Sequence, residues 1–358
     1  MKENTQTLLI IAGGTGGHVF PGLAIAEAFQ AKGYTIAWLG TPQGLEAQLI
    51  PEAGIPFYTI PIQGLRGKKI STWIKAPFLL IRALMTALKQ IKRINPQLVI
   101  GMGGFVSGPG GLAAWLLRIP LIIHEQNAVA GLTNRLLAKI ATKVLEGFPQ
   151  TFPHQYRAIY TGNPIRQSIA AIPNPSIRYH YQERPLRLLV MGGSLGAATF
   201  NTIIPQMVAQ LKFKSVLDVM HQTGKTHFES VQAKYAELKI SGNIAPFIRD
   251  MAAAYAWADI VLCRAGALTI TELTAGGIPA ILVPYPYAVD DHQTKNGQFL
   301  VNSGAALMIQ QTQLTSESLW QVLEPFVTDR LRLQKMAQAA KVLFNETAID
   351  KIMTICVK

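Results

Sequence analysis

His18 is the side chain around which proton chemistry is expected. It closes a glycine-rich turn, Gly13-Gly14-Thr15-Gly16-Gly17, between the apolar run of residues 8–12 and the helix-forming run of residues 22–29. Imidazole is the one side chain of this turn that exchanges a proton near pH 7. The glycines bring bare backbone N–H groups to the start of a helix. Partial positive charge there favours phosphate, pyrophosphate or another oxygen-rich group. A nicotinamide or flavin fits poorly, because the third glycine position of the dinucleotide fingerprint is Val19. Glu272 is a second candidate. Arg264-Ala265-Gly266 turns the chain into a helix whose N-terminus suits a diphosphate, and Glu272 follows about one helical turn in. A carboxylate there can accept two vicinal ribose hydroxyls.

Several rival chemistries fail on spacing. His124-Glu125 lacks a second histidine at the zinc-protease position, which is Ala128. Gly224-Lys225-Thr226 resembles the end of a P-loop, but the required earlier glycine is Val219. No Asp-x-Asp occurs, so no metal is expected, and glycine-turn amides with a helix N-terminus take the place of a cation. Asp290-Asp291 reads as a solvated loop pair.

The elements that must position these groups alternate between strand and helix. Strands are expected at residues 8–12, 35–40, 57–60, 98–101 and 120–124. Helices are expected at 22–29, 45–53, 71–94 (with Pro77 as a kink or restart) and 112–117, and a second glycine turn spans 103–111. Gly162-Asn163-Pro164-Ile165-Arg166 and Pro173-Asn174-Pro175 read as a hinge. The pattern then restarts with a strand at 186–191, a glycine turn at 192–197 and a helix at 200–211. This predicts two α/β domains, each a parallel sheet with helices on both faces, carrying ligands beyond the carboxyl ends of their strands and facing across an interdomain cleft.

A chain of 358 residues suits two domains, and 49% hydrophobic against 15% charged residues sustains a large core. The formal charge of +13 points to an anionic partner. It is concentrated: no Asp or Glu lies between Glu52 and Glu125, a span that holds Arg66, Lys68, Lys69, Lys75, Arg82, Lys89, Lys92, Arg93 and Arg118. Apolar residues Trp73, Ile74, Phe78, Leu79 and Ile81 sit among them. A basic helix with an apolar face reads as a membrane-surface element, with Ile74, Lys75, Phe78, Leu79 and Arg82 as its contacts; the alternative is that the apolar stripe is core. No zinc, RNP or helix-turn-helix signature supports nucleic acid. Cys263 and Cys356 are expected reduced, and neither a secretory signal nor a spanning helix is expected.

In order along the chain, residues 13–21, 103–111, His124-Glu125-Gln126-Asn127, 162–166, 192–197, 247–251, 264–272 and 290–293 resemble the glycosyltransferase family 28 enzymes that add N-acetylglucosamine to the lipid-linked muramyl-pentapeptide of peptidoglycan synthesis. The resemblance covers nearly the full length. It implies the GT-B fold of two Rossmann-like domains. It assigns 1–163 to an acceptor and membrane-binding domain and 164–340 to a UDP-sugar-binding domain, with a C-terminal helix at about 341–358 packing back on the first. The implied reaction is inverting transfer from UDP-N-acetylglucosamine (UDP-GlcNAc) to the muramyl 4-hydroxyl of lipid I, giving lipid II, by a peripheral enzyme on the cytoplasmic face of the cell membrane, with no cofactor. Thr15, Gly16, Gly17 and Asn127 would meet the sugar. Arg166 and Ser194 would line the nucleotide, and Phe247 and Ile248 the uracil. Ala267, Leu268 and Thr269 would meet the phosphates, with Ile270 and Thr271 continuing the helix. Glu272 would hold ribose, and Gln293 (or His292) the sugar hydroxyls. The acceptor pyrophosphate would lie on Gly103, Gly104, Ser107 and Gly108. His18 is the expected base, with Glu125 in reserve. The alternatives are a UDP-GlcNAc 2-epimerase-like isomerase and a catalytically idle nucleotide-sugar-binding subunit.

Overall fold

A computed structural model describes residues 6–62, 70–179, 184–193, 196–211 and 216–357, and for residues 70–75 the backbone alone. The chain divides into two compact units, Met1–Arg166 with Asn345–Lys358, and Gln167–Phe344.

The first unit is built on seven strands: β1 (Thr7–Ile11), β2 (Thr35–Gly40), β3 (Phe57–Thr59), β4 (Leu98–Gly101), β5 (Leu121–Glu125), β6 (Lys143–Glu146) and β7 (Ile159–Tyr160). They form one sheet in the order β3-β2-β1-β4-β5-β6-β7, with every pairing parallel. The central strands are near-continuous apolar runs because both faces are covered. Successive residues of β1 point to opposite layers: Leu8 and Ile10 join Phe29, Trp38 and Ile352, whereas Leu9 and Ile11 join Leu39, Ala83, Ala87 and Val99. The buried Trp38 indole donates to Ala12 O at 3.0 Å. The C-terminal helix Ala348–Val357 contributes Ile352 to the first of these layers.

Five helices of this unit matter for the site: α1 (Gly16–Gln30), α2 (Glu46–Glu52), α3 (Ile70–Ile94), α4 (Ser107–Leu116) and α5 (Leu132–Leu137). Three depart from expectation. Helix α1 begins inside the glycine turn, at Gly16. Helix α3 runs through Pro77 without a restart; Pro77 stands on its exposed side, where the lost backbone bond is left to solvent. Helix α4 begins at Ser107, so half of the second glycine turn is helix. Pro109 is tolerated in its first turn. Gly110 and Gly111 are close-packing positions, since a Cβ would meet the Ile11 side chain at 2.7 Å and that of Leu137 at 2.8 Å.

The second unit has six strands: β8 (Leu186–Met191), β9 (Leu217–Gln222), β10 (Asn243–Ala245), β11 (Ile260–Cys263), β12 (Ala280–Leu282) and β13 (Ala306–Met308). The order β10-β9-β8-β11-β12-β13 is again all parallel. In each sheet the first strand of the unit lies centrally and the strand order reverses beside it. Ligands gather at such a reversal, past the carboxyl ends of the strands.

Candidate active site

In the first unit, β1, β4 and β5 lie side by side, with Ile11 opposite Gly101 and Gly101 opposite Ile123. The turns that follow them therefore converge. His18, third residue of α1 and half-buried, rests on the β4 turn: a Cβ on Gly103 would lie 2.8 Å from both its Cε1 and its Nδ1. Gly104 backs onto the carbonyl of Gly13, which leaves no space for a side chain, and its φ is +82°. Nδ1 of His18 lies 3.0 Å from Oε1 of Gln126, just past β5. Thr15 caps α1 with an extended backbone and is exposed, and Gly16 and Gly17 form the half-buried start of the helix.

Beneath the first turn lies a residue whose role its local sequence does not announce. Glu46, fully buried at the start of α2, accepts from Gly14 N (3.0 Å), Thr41 N (2.9 Å) and Thr41 Oγ1 (2.7 Å). A buried carboxylate here takes up one of the turn's amides, Gly14 N, and opposes an anion. Of the ligands such a turn suits, a neutral oxygen-rich group fits and a phosphate does not.

The expected acceptor residues divide. The buried Ser107 hydroxyl donates to Gly103 O at 2.7 Å and accepts from Gly103 N at 3.1 Å, so this pair shapes the turn from below. Gly104 and Gly108 are partly accessible. Glu125 is 2% exposed and accepts from Asn127 N, Asn127 Nδ2, Gly131 N and Asn134 Nδ2 at 2.9–3.1 Å. Four donors saturate the carboxylate, and its visible work is to hold Asn127 in place. Arg166, at the end of this unit, lays its guanidinium 5.4 Å from the Phe20 ring centre.

In the second unit, Gly192-Gly193 follow β8, and Ser194 lies outside the described residues. Gln222, ending β9, ties two candidate segments together: its Nε2 donates to Gly193 O and its Oε1 accepts from Ile248 N, each at 2.9 Å. The Ile248 N–H is thereby engaged. Phe247 beside it is 44% exposed, as a stacking surface must be. The helix Ala267–Gly276 starts at an extended Gly266 with no side-chain cap, so Ala267, Leu268 and Thr269 present its first-turn amides. Ile270 is buried in the core, and Thr271 Oγ1 donates to Ala267 O. Glu272 is 5% exposed and accepts from the Tyr255 hydroxyl at 3.1 Å; Tyr255 comes from the helix Met251–Trp257 and is fully buried. Gln293 Oε1 accepts from Tyr285 N at 2.8 Å, and His292 Nδ1 donates to Val289 O at 2.7 Å.

Helix α3 is apolar on two sides. Ala76, Ala83, Ala87 and Ile91 face the core, while Phe78 is 70%, Ile81 61% and Met85 62% exposed. Leu79 lies between these faces at 37%, and Arg82 is exposed. The reading of the Phe78–Ile81 stripe as core is therefore excluded. The side chains of Ile74 and Lys75 lie outside the described residues. Trp115 and Leu116 at the end of α4, and Leu132 and Leu136 on α5, are also exposed, and α4 packs on both α3 and α5. Among the described residues no helix is long and apolar enough to cross a membrane.

Glu46, Gln126, Gln222 and Tyr255 were not legible as site residues, because each acts on a site segment at least 17 positions away. Known proteins resemble this chain over nearly its whole length. Residues 8–146 match the glycosyltransferase family 28 N-terminal domain and residues 187–352 its C-terminal domain. The UDP-N-acetylglucosamine–N-acetylmuramyl-(pentapeptide) pyrophosphoryl-undecaprenol N-acetylglucosamine transferase of Marinobacter nauticus is 50% identical over 99% of this chain and 97% of its own. The crystal structure of Acinetobacter baumannii MurG superposes with a TM-score of 0.81 at 40% identity, over 98% of this chain and 99% of that one. A UDP-N-acetylglucosamine 2-epimerase structure reaches a TM-score of 0.65 at 16% identity, over 98% and 95% of the two chains, which is a likeness of fold alone. With both of its domains matched, and with the two-domain GT-B architecture, this chain belongs to glycosyltransferase family 28.

Proposed function

We propose that this protein transfers N-acetylglucosamine from UDP-GlcNAc to the 4-hydroxyl of the muramyl sugar of lipid I, forming lipid II with inversion at the anomeric carbon. Full-length identity of 50% to a transferase of that name supports the substrates. The observation that carries the chemistry is the His18 imidazole, seated on Gly103 in a turn whose buried acid, Glu46, favours a neutral sugar. His18 takes the proton of the attacking hydroxyl as the new C–O bond forms. The bond from the anomeric carbon to UDP breaks, and UDP leaves with the electron pair. The uncapped start of the helix Ala267–Gly276 stabilises the developing diphosphate charge. Glu272, held by Tyr255, takes the ribose hydroxyls, and Glu125 acts by positioning Asn127 rather than as a base.

The lipid acceptor calls for a surface next to the bilayer. The exposed face of Phe78, Ile81 and Met85, with Arg82 and Lys89 exposed on the same helix and Trp115, Leu116, Leu132 and Leu136 on the helices beside it, has the character of a peripheral contact with an anionic leaflet. The pyrophosphate of lipid I would then reach Gly104 and Gly108. The deciding experiment is UDP release from UDP-GlcNAc with and without a lipid I analogue. Release that depends on the acceptor is expected; an epimer without UDP release, or binding alone, would overturn the reading.

A further inference from the structure

The side chains behind His18 form a chain with only one consistent direction. His124, fully buried on β5, has Nε2 3.1 Å from Gly162 O and Nδ1 3.3 Å from Gln126 Nε2. Gln126, 1% exposed, also places Nε2 3.3 Å from the carbonyl of His124 and Oε1 3.0 Å from Nδ1 of His18. Both ends of the chain behind His18 are carbonyl oxygens, which only accept. Thr161 Oγ1 also lies 3.3 Å from Nε2, but it donates its one proton to Gly162 O at 2.9 Å and so can only accept there; both neighbours therefore require the His124 proton on Nε2, which leaves Nδ1 bare. The carbonyl of His124 requires that the Gln126 atom facing it be the NH2 group. The opposite amide orientation would set two acceptors against each other. The Gln126 oxygen therefore faces His18, and only an N–H on Nδ1 satisfies it.

We propose that Gln126 and His124 are positioning residues that lock His18 in the Nδ1–H tautomer, so that Nε2 keeps its lone pair for the acceptor hydroxyl. This rests on the reading of His18 as the base. Free neutral histidine favours the Nε2–H form, so the network reverses an intrinsic preference. Burial helps: it lowers the pKa of His124 to about 4, the dominant effect over the opposing pull of Gly162 O and Glu125, so His124 stays neutral and its Nδ1 stays an acceptor. When Nε2 takes the hydroxyl proton, Nδ1–H keeps its bond to the amide oxygen, and the amide dipole faces the new imidazolium. Nothing behind His18 has to reorganise during the step. Among the described residues Nε2 of His18 has no hydrogen-bond partner.

The test is long-range 15N correlation NMR of the full chain labelled in histidine, with the His18 signals assigned by their loss in His18→Gln. The native protein should show Nδ1–H. Gln126→Met, of similar shape, should move His18 toward Nε2–H. It should also lower kcat about tenfold or more, within the usual worth of a general base, with KM for UDP-GlcNAc unchanged. His124→Phe keeps the buried volume and frees the far end of the amide, so it should give a mixed tautomer and a smaller loss of kcat. If Gln126→Met fails to fold, this variant alone decides. A native Nε2–H form, or a tautomer indifferent to both substitutions, would overturn the proposal, and so would a changed tautomer with intact kcat. Activity surviving in His18→Gln would sink the base reading instead, while the tautomer result would still stand or fall on its own.

Discussion

The turns after β1 and β8 look alike in sequence and differ in what lies beneath them. Each joins the central strand of its sheet to a helix. Under the first lies a buried carboxylate, Glu46, bonded to Gly14 and Thr41. Under the second lies a neutral amide, Gln222, bonded to Gly193 and Ile248. The same glycine pattern thus serves two electrostatic purposes. On the proposed reading, the first turn discourages phosphate and presents His18 to a neutral sugar. The second leaves a polyanion unopposed, next to a helix N-terminus without a side-chain cap. Backbone shape alone would have made the two interchangeable.

The most severe way to break this division of labour is at the base. His18→Gln should cost roughly 100-fold or more in kcat while UDP-GlcNAc still binds, as measured by calorimetry. Comparable loss of nucleotide-sugar binding would mean that the first turn carries donor affinity as well. Glu46→Ala strips the acid from below the turn and strands three donors, which should lower stability by about 3 kcal/mol in denaturant titration. A mutant as stable as the native protein would leave Glu46 without the structural part assigned to it. In the second unit, Glu272→Ala should cost about 2 kcal/mol in kcat/KM for UDP-GlcNAc, with Tyr255→Phe costing less. Unchanged donor kinetics in a folded variant would remove Glu272 from the ribose.

Among the described residues each unit also buries one neutral histidine, and here the comparison is sharpened by pH. Burial lowers His124 and His221 from 6.5 to about 4 each. Unfolded, they bind protons below pH 6.5; folded, only near pH 4. Stability is therefore fullest above pH 6.5 and is lost as pH falls toward 4, by about 2 kcal/mol per histidine at pH 5. His124 satisfies both ring nitrogens, whereas among the described residues Nε2 of His221 has no partner and its Nδ1 meets only the Tyr235 hydroxyl at 3.2 Å. His221→Phe should flatten the acid limb at less expense than His124→Phe, as melting curves at pH 7 and pH 5 will show; equal slopes in native and mutant proteins would refute the assignment. The smallest effect belongs to the surface of α3. Arg82→Gln and Lys89→Gln should each weaken flotation with anionic vesicles by about 1 kcal/mol and leave donor affinity alone. Native protein that ignores such vesicles would place the membrane face elsewhere.

Much of this was legible in the residues. Short apolar runs with glycine exits gave β1, β2, β4 and β8, because a strand buried on two faces needs no partner to declare itself, whereas β6, β7, β9, β10 and β13 did not stand out. The place of His18 in a glycine turn before a helix followed from the same local pattern, although the helix reaches back to Gly16 and includes it. The start of α4 did not: Gly110 and Gly111 look like turn residues until Ile11 and Leu137 are seen against them. Glu46, Gln126 and Gln222 were silent for a related reason. Each is an ordinary polar residue in its own segment and acquires a role through a turn brought beside it by the sheet. Ile248 shows the limit from the other side, since the backbone expected to read uracil has its N–H engaged by Gln222.

Gly104 carries one further consequence, for engineering. Replacing glycine with alanine ordinarily narrows the unfolded ensemble and stabilises a protein by about 0.4–1 kcal/mol. At Gly104 that route is closed twice, by a φ of +82° and by the Gly13 carbonyl occupying the space a methyl group needs. The turn beneath His18 is thus a place where the chain must remain loose when unfolded in order to fit when folded. Thermostable variants will have to draw their gains from elsewhere in the molecule.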